Sequence, residues 1–326
     1  MTRRRSLAVA LAAIAAATIV PNAAAAPSVK AAVDDGTLHI TGSPLAERIA
    51  LRLDALDPNR LQVDVGDDGS ADQAFELSAF RAIDVEAGNG NDHVRIDQVN
   101  GAFTNNEATL IDGGNGDDTL LGGSGAEIFL GGNGDDFVDG NGGPDTAFLG
   151  RGDDVFVWDP GDASDMVEGG RGSDTMVFNG AAGNEVLTTS ADGGRVLFTR
   201  NLGNIVMDLD DVEVIDVRAL GGTDTVTVND VGGTDLERVD VDLAAVLGGS
   251  TGDGQADAVA VAATKGDDSI AVDANGAAVE VSGLAALVRI THAEPRVDTL
   301  VLDTVAGADD VSLDPALDGL ILVTVL

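Results

Sequence analysis

Between Gly113 and Val157 the chain repeats itself every nine residues, five times in register. The blocks are GGNGDDTLL (113–121), GGSGAEIFL (122–130), GGNGDDFVD (131–139), GNGGPDTAF (140–148) and LGRGDDVFV (149–157). Two more, PGDASDMVE (160–168) and GGRGSDTMV (169–177), follow a two-residue insertion. A unit this short cannot close a core alone, so copies have to stack on one another. Glycine favours the first, second and fourth positions, where a sharp turn needs φ > 0 or close backbone approach. The last three residues make a strand whose middle side chain points inward. Those residues are Leu120, Phe129, Val138, Ala147, Phe156, Val167 and Met176, all apolar. Their neighbours Thr119, Asp139, Thr146 and Glu168 are not, which is the alternation of a half-buried strand. Each nonapeptide thus supplies one turn and one strand, and consecutive turns fall on opposite edges of a roll. Turns at 113, 131, 149 and 169 share one edge; those at 122, 140 and 160 share the other.

Composition agrees with thin stacked strands rather than a bulky core. Aromatic residues make up 3% of the chain, with no Tyr and one Trp (Trp158), while Gly reaches 43. There is no Cys, so disulfides cannot hold the fold. Acidic residues number 56 against 18 basic ones, a net charge of −38. Such self-repulsion opposes a compact state unless counter-ions neutralise it. No basic stripe is present to meet phosphates, which excludes nucleic acid as a partner. The acids gather in turns instead of coating helices, which argues against a halophilic surface.

Residues 1–26 read as a cleavable export signal: a basic start (Arg3–Arg5), an apolar run from Leu7 to Val20, then Ala23–Ala26. No other segment is long and apolar enough to span a bilayer, and GLILVTVL (319–326) has only a strand's length. The mature chain is therefore expected outside the cell, without a membrane span. Residues 27–112 form irregular β-rungs, with strands at Leu38–Ile40, Ile49–Leu53, Leu61–Val65, Ile83–Val85 and Val94–Ile96. AGNGNDHVR (87–95) is a degenerate copy of the repeat with Asp92 in the acidic position. AFELSAFR (74–81) reads as one helical turn or two. The strict roll occupies 113–177. Over 178–326 the period loosens, but apolar strand centres recur near Ile215, Val226, Val239, Val259, Ile270, Val279, Val288, Leu300, Val311 and Ile321. This pattern suits a continued β-solenoid; antiparallel hairpins forming a sandwich are the alternative. No helical periodicity is sustained outside the first 26 residues.

A tight Gly-rich turn exposes backbone carbonyls, and the sixth-position carboxylate adds charge beside them. Calcium, a hard cation that takes roughly six to eight oxygens, suits such a set. Zinc and copper do not, since Cys is absent and His39, His93 and His292 lie far apart in sequence. The first edge carries Asp118, Asp136, Asp154 and Asp174. The second carries Glu127, Asp145 and Asp165, with Pro144 and Ala163 disturbing two loops. The first edge is accordingly expected to bind calcium better. Asp92, Asp224, Asp268 and Asp310, outside the strict repeats, read as acids that end solvated turns.

These blocks resemble the RTX, or haemolysin-type, calcium-binding repeat of secreted bacterial proteins. The resemblance implies an all-β, right-handed parallel β-roll with calcium between turns and irregular β-solenoid flanks. It also implies that the sixth-position acids Asp118, Glu127, Asp136, Asp145, Asp154, Asp165 and Asp174 are side-chain ligands. Gly113, Asn115, Asp117, Gly131, Asn133, Asp135 and Asp153 become loop positions that donate mainly backbone oxygens. Two features depart from the family pattern. Family toxins and proteases usually carry an uncleaved C-terminal export signal, whereas this chain shows an N-terminal one, and its good repeats end well before the C-terminus.

Catalytic motifs are weak. Gly248–Gly252 spells G-x-S-x-G around Ser250, but a turn and a strand follow where a nucleophile elbow needs a helix. H-E-x-x-H is absent. Arg151-Gly152-Asp153 spells a cell-attachment tripeptide that the nonapeptide register already explains. The sequence therefore points to a secreted calcium-binding solenoid without a catalytic centre of its own. The alternative is a calcium-dependent surface adhesin or matrix component, with a cell surface or polysaccharide as its ligand and the solenoid as spacer.

Overall fold

The computed structural model describes residues 29–326, so the export signal read in residues 1–26 lies outside the described residues. Across the described residues the fold is all-β: two sheets of 14 strands each enclose an apolar core. Through the repeats the chain alternates between them. Ala108–Asn115, Glu127–Asn133, Thr146–Arg151 and Met166–Arg171 lie side by side in the first sheet. Thr119–Leu121, Phe137–Asp139, Val155–Trp158 and Thr175–Asn179 do so in the second. Every one of these neighbours pairs in parallel, so two nonapeptides make one rung of a β-solenoid.

The register stacks like on like. Ile111, Phe129, Ala147 and Val167 form one inward column; Val94, Leu120, Val138, Phe156 and Met176 form the facing one. None is more than 1% exposed. Burying each of the large ones contributes about 2 kcal/mol, which a slip of one residue would forfeit by turning the column outward. At the end of the strict repeats Trp158 stacks on Phe178 (ring centroids 4.3 Å apart), and Phe178 leans on Phe198 at 4.6 Å. The buried indole N–H donates to the Ala163 carbonyl at 2.8 Å.

Both flanks continue the same two sheets. Leu187, Val226, Val259 and Leu300 extend the first-sheet stack in parallel register, and Ile215, Val239 and Val288 extend the second. The solenoid reading thus holds over the sandwich. Hairpins do occur, as excursions within a sheet. Arg48–Leu53, Arg60–Val65 and Gln73–Glu76 make one; Val186–Asp192, Arg195–Arg200 and Ile205–Asp210 a second; Ser269–Asn275, Ala278–Ser282 and Leu287–Thr291 a third. A further hairpin joins Lys30–Asp34 to Thr37–Thr41 through Asp35-Gly36, whose φ values of 44° and 78° make the primed turn that suits strand twist. Residues 74–81 correct the helical reading: Gln73–Glu76 is a strand added to Arg60–Val65, and only Leu77–Ala79 turns as a 3-10 helix. The Arg60–Val65 strand offers an edge there, and pairing Leu61 with Phe75 uses it.

Candidate metal centre

The turns stack on two edges, in the alternation that a nine-residue period requires. Turns 113–118, 131–136, 149–154 and 169–174 lead from the first sheet into the second; 122–127, 140–145 and 160–165 lead back. On the first edge the sixth-position acids form a ladder, each fastening the rung before it. The Asp118 N–H donates to Asp136 Oδ1 at 2.8 Å, Asp136 N–H to Asp154 Oδ1 at 2.7 Å, and Asp154 N–H to Asp174 Oδ1 at 2.9 Å. The second oxygen, Oδ2, of all four acids is buried with no hydrogen-bond partner. A buried carboxylate oxygen left in this state is costly unless a cation meets it.

The turn glycines make room for this packing. Gly132 and Gly134 have φ of 114° and 123°, and a Cβ on either would overlap the carbonyl of Gly114 or Gly116 one rung earlier. Positive φ at the second and fourth positions recurs in all four first-edge turns. At Gly113 a Cβ would meet Asp118 Oδ2, and at Gly131 the Leu149 carbonyl and then Asp136 Oδ2. The outer positions hold the register from the solvent side. Asn133 Nδ2 donates to Asn115 Oδ1 at 2.9 Å; Asp117 Oδ1 accepts the Asp135 N–H at 3.1 Å, and Asp135 Oδ1 the Asp153 N–H at 2.9 Å. Asn115, Asp117, Asn133, Asp135 and Asp153 are all exposed. The Asn115 and Asn133 carbonyls already accept N–H bonds from Gly90 and Gly116 at 2.7 Å.

The second edge repeats the ladder less regularly. Glu127 N–H donates to Asp145 Oδ1, and Asp145 N–H to Asp165 Oδ1, both at 2.8 Å. Glu127 Oε1 and Asp145 Oδ2 are buried without partners. The loops, however, differ from one another. Asn141 and Gly143 have positive φ in one, Gly161 alone in the next, and no residue in 122–127.

Burial raises the carboxyl groups of both ladders, with neighbouring acids adding to the effect. Asp118 is pushed up to about 6, Asp136, Asp165 and Asp174 to about 7, and Asp145 to about 9. Asp154 and Glu127 move in the same direction, again chiefly by burial. The donor set is oxygen alone, buried, and short of positive charge. It fits a hard divalent cation and offers nothing to a softer metal.

The ladders run further than the nonapeptide predicts. On the first edge Glu47 N–H donates to Asp92 Oδ1 at 2.6 Å, Asp92 N–H to Asp118 Oδ1 at 2.7 Å, and Asp174 N–H to Glu213 Oε2 at 2.7 Å. On the second, Glu185, Asp224, Asp257 and Asp298 are linked in the same way at 2.7–3.0 Å. Asp92 and Asp224 are therefore buried ladder members, not the ends of solvated turns. The Asp268 N–H donates to Asp309 Oδ1 at 2.9 Å, while the exposed Asp310 donates its own N–H to the Asp268 carbonyl at 2.9 Å. One signal would have found them: each of these acids stands at the entry to a strand with alternating apolar residues, as in Asp224-Thr-Val-Thr-Val and Asp257-Ala-Val-Ala-Val.

Elsewhere the carboxylates of Asp210, Asp211 and Asp235 converge within 4.8 Å, partly exposed and with Arg195 bonded to Asp210 at 3.1 Å. Ser250 sits in a loop between the strands Arg238–Asp242 and Ala258–Ala262, so its motif lacks the strand-to-helix setting of a nucleophile elbow.

Residues 103–138, 130–157 and 159–192 match the family model of the RTX calcium-binding nonapeptide repeat, in four copies. The stretch from 103 to 192 thus carries RTX repeats, whose ion is calcium. No curated protein matches the chain. Among solved structures, the extracellular lipase LipA from Serratia marcescens is similar at 13% identity and a TM-score of 0.19, over 66% of this chain. The chain covers 43% of that lipase, less than half its length.

Proposed function

We propose that this chain, carrying RTX repeats over residues 103–192, is a secreted calcium-binding protein whose turns and core set together when calcium is bound. The observation that carries the reading is the row of buried, unpartnered oxygens: Oδ2 of Asp118, Asp136, Asp154 and Asp174 on one edge, Glu127 Oε1 and Asp145 Oδ2 on the other. These acids, with Asp165, are assigned as side-chain ligands. Gly113, Asn115, Asp117, Gly131, Asn133, Asp135 and Asp153 are assigned as the loop positions around them. Calcium, when bound, supplies the positive charge that these oxygens lack. Without it the carboxylates repel one another and the rungs loosen. Once the turns are fixed, Leu120, Phe129, Val138, Phe156 and Met176 can stack. Residues 113–177 are then the calcium roll, and 27–112 and 178–326 are irregular rungs that extend it. Export is supported by the signal-like composition of residues 1–26 and by a chemistry that matches calcium-rich surroundings.

Calcium titration of the metal-free chain, followed by far-ultraviolet circular dichroism, tests the reading. A saturable gain in β signal is expected, reversed by a chelator. A spectrum indifferent to calcium would sink it.

A further inference from the structure

The stacking of first-edge turns begins before the strict repeats. The turn 87–92 (AGNGND) lies one rung ahead of 113–118, although 26 residues separate Asp92 from Asp118. The additional residues fall within 98–107, which follow the strand His93–Asp97 in the second sheet and precede Ala108–Asn115 in the first. They therefore leave by the opposite edge, and the first edge meets no interruption.

The backbone geometry and the ladder of the repeat turns recur at 87–92. Gly88 and Gly90 have φ of 112° and 116°, beside 97° and 124° at Gly114 and Gly116. A Cβ on Gly114 or Gly116 would overlap the Gly88 or Gly90 carbonyl, as happens one rung later. Asn115 Nδ2 donates to Asn89 Oδ1 at 2.8 Å, and Asn91 Oδ1 accepts the Asp117 N–H at 3.1 Å. Asp92 is 2% exposed, and its Oδ2 has no partner. Two residues differ from the repeats. Ala87 replaces the first glycine, but Leu149 does the same in a matched repeat whose Asp154 keeps the identical buried oxygen. Asn91 replaces a fifth-position acid and removes one charge.

We propose that turns 87–92 and 113–118 enclose a further calcium site, with Asp92 as its buried carboxylate. The site lies partly outside the stretch that matches the repeat family, and it rests on the calcium reading above. With Asn91 in place of an acid, it carries one charge fewer than the sites formed by turns 113–118, 131–136 and 149–154; Ser173 makes the same change at the far end of that edge.

Counting bound calcium on the full chain by equilibrium dialysis tests this, using wild type, Asp92→Asn, Asp136→Asn and Asn91→Asp. Asp92→Asn is expected to bind one ion fewer than wild type while keeping the calcium-dependent β signal. Asn91→Asp is expected to keep the count and bind one of the ions roughly fivefold more tightly, the effect of one charge beside a partly solvated cation. An unchanged count in Asp92→Asn, with Asp136→Asn losing an ion, overturns this site and leaves the calcium reading standing. Wild type that binds no calcium overturns both. Where Asp92→Asn fails to fold, Asn91→Asp decides: a binding curve identical to that of wild type overturns the site.

Discussion

On the first edge, each ladder aspartate from Asp92 to Asp174 has two oxygens in different settings. In Asp136, Oδ1 holds the Asp118 N–H and sets the register, while Oδ2 is buried without a partner and is the oxygen proposed to meet calcium. Asp136→Asn therefore keeps the fastening and loses the ligand charge, whereas Asp136→Ala loses both. Because the first-edge turns share one conformation and the second-edge turns do not, Asp136→Ala should cost more calcium affinity than Asp145→Ala. Calcium titration of the two variants compares them; equal losses would remove the asymmetry between edges. The turn backbone makes its own demand. Gly134→Ala places a Cβ against the Gly116 carbonyl at a φ of 123°, and should lower stability in calcium by about 2 kcal/mol or more. Asn133→Ala, on the exposed side of the same turn, should cost under ~1 kcal/mol by urea unfolding. Proton binding follows from burial. Asp136 and Asp174 rise to about 7 from 3.8, so the folded state holds their protons more tightly than the unfolded chain. Their contribution to the metal-free fold is full below about 4 and lost as pH climbs through 7. The metal-free chain should therefore gain thermal stability between pH 8 and pH 5, while calcium affinity falls over the same window. A metal-free fold that weakens on acidification would contradict this.

At the scale of elements, the hairpin excursions explain both what sequence reading reached and what it missed. Within 113–177 every turn, inward residue and edge was legible, because turn and strand recur together and the insertion between rungs, 158–159, is short. Outside it the same geometry persists, but residues enter between rungs. The ladder spacing stretches from 18 to 26 between Asp92 and Asp118 and to 39 between Glu185 and Asp224. A period is lost on paper while its physical cause, an acid at the strand entry, remains. The second excursion also changes how a buried acid is neutralised. Glu185 opens the renewed second-edge ladder, and its carboxylate pairs with the buried Arg200 guanidinium, which lies 5.1 Å over the Trp158 ring. A fixed internal cation serves there, whereas Asp118 to Asp174 present free oxygens. Nothing in the period of nine pointed to that pairing, since Arg200 arrives on an inserted strand. Arg200→Met leaves Glu185 buried and unpaired, and should destabilise the chain by about 3 kcal/mol in thermal unfolding. Adding Glu185→Gln should recover part of that loss; additive losses would show that packing against Trp158, not charge, is the role of Arg200.

Across the whole molecule the net charge of −38 divides into two populations that respond to different ions. Exposed acids such as Asp117, Asp135 and Asp153 lie in water, where salt screens them; about 1 M sodium chloride shortens the screening length to about 3 Å. The ladder carboxylates are sealed between rungs, where mobile ions at that distance do not reach the unpartnered oxygens. Salt therefore relieves the first repulsion and leaves the second. The two sheets run unbroken through repeats and flanks, so each rung is stabilised by its neighbours and order gained at the repeats is passed along. Trp158, the single tryptophan, reports from the junction where the strict repeats end. In metal-free solution about 1 M sodium chloride should leave far-ultraviolet dichroism and Trp158 emission close to their unfolded values. Calcium should raise the β signal and shift the emission to the blue, with coincident midpoints, because the reporter and the strands share one pair of sheets. Folding by salt alone would place the controlling repulsion on the surface instead of in the ladders. Separated midpoints would mean that the calcium roll orders without carrying its flanks.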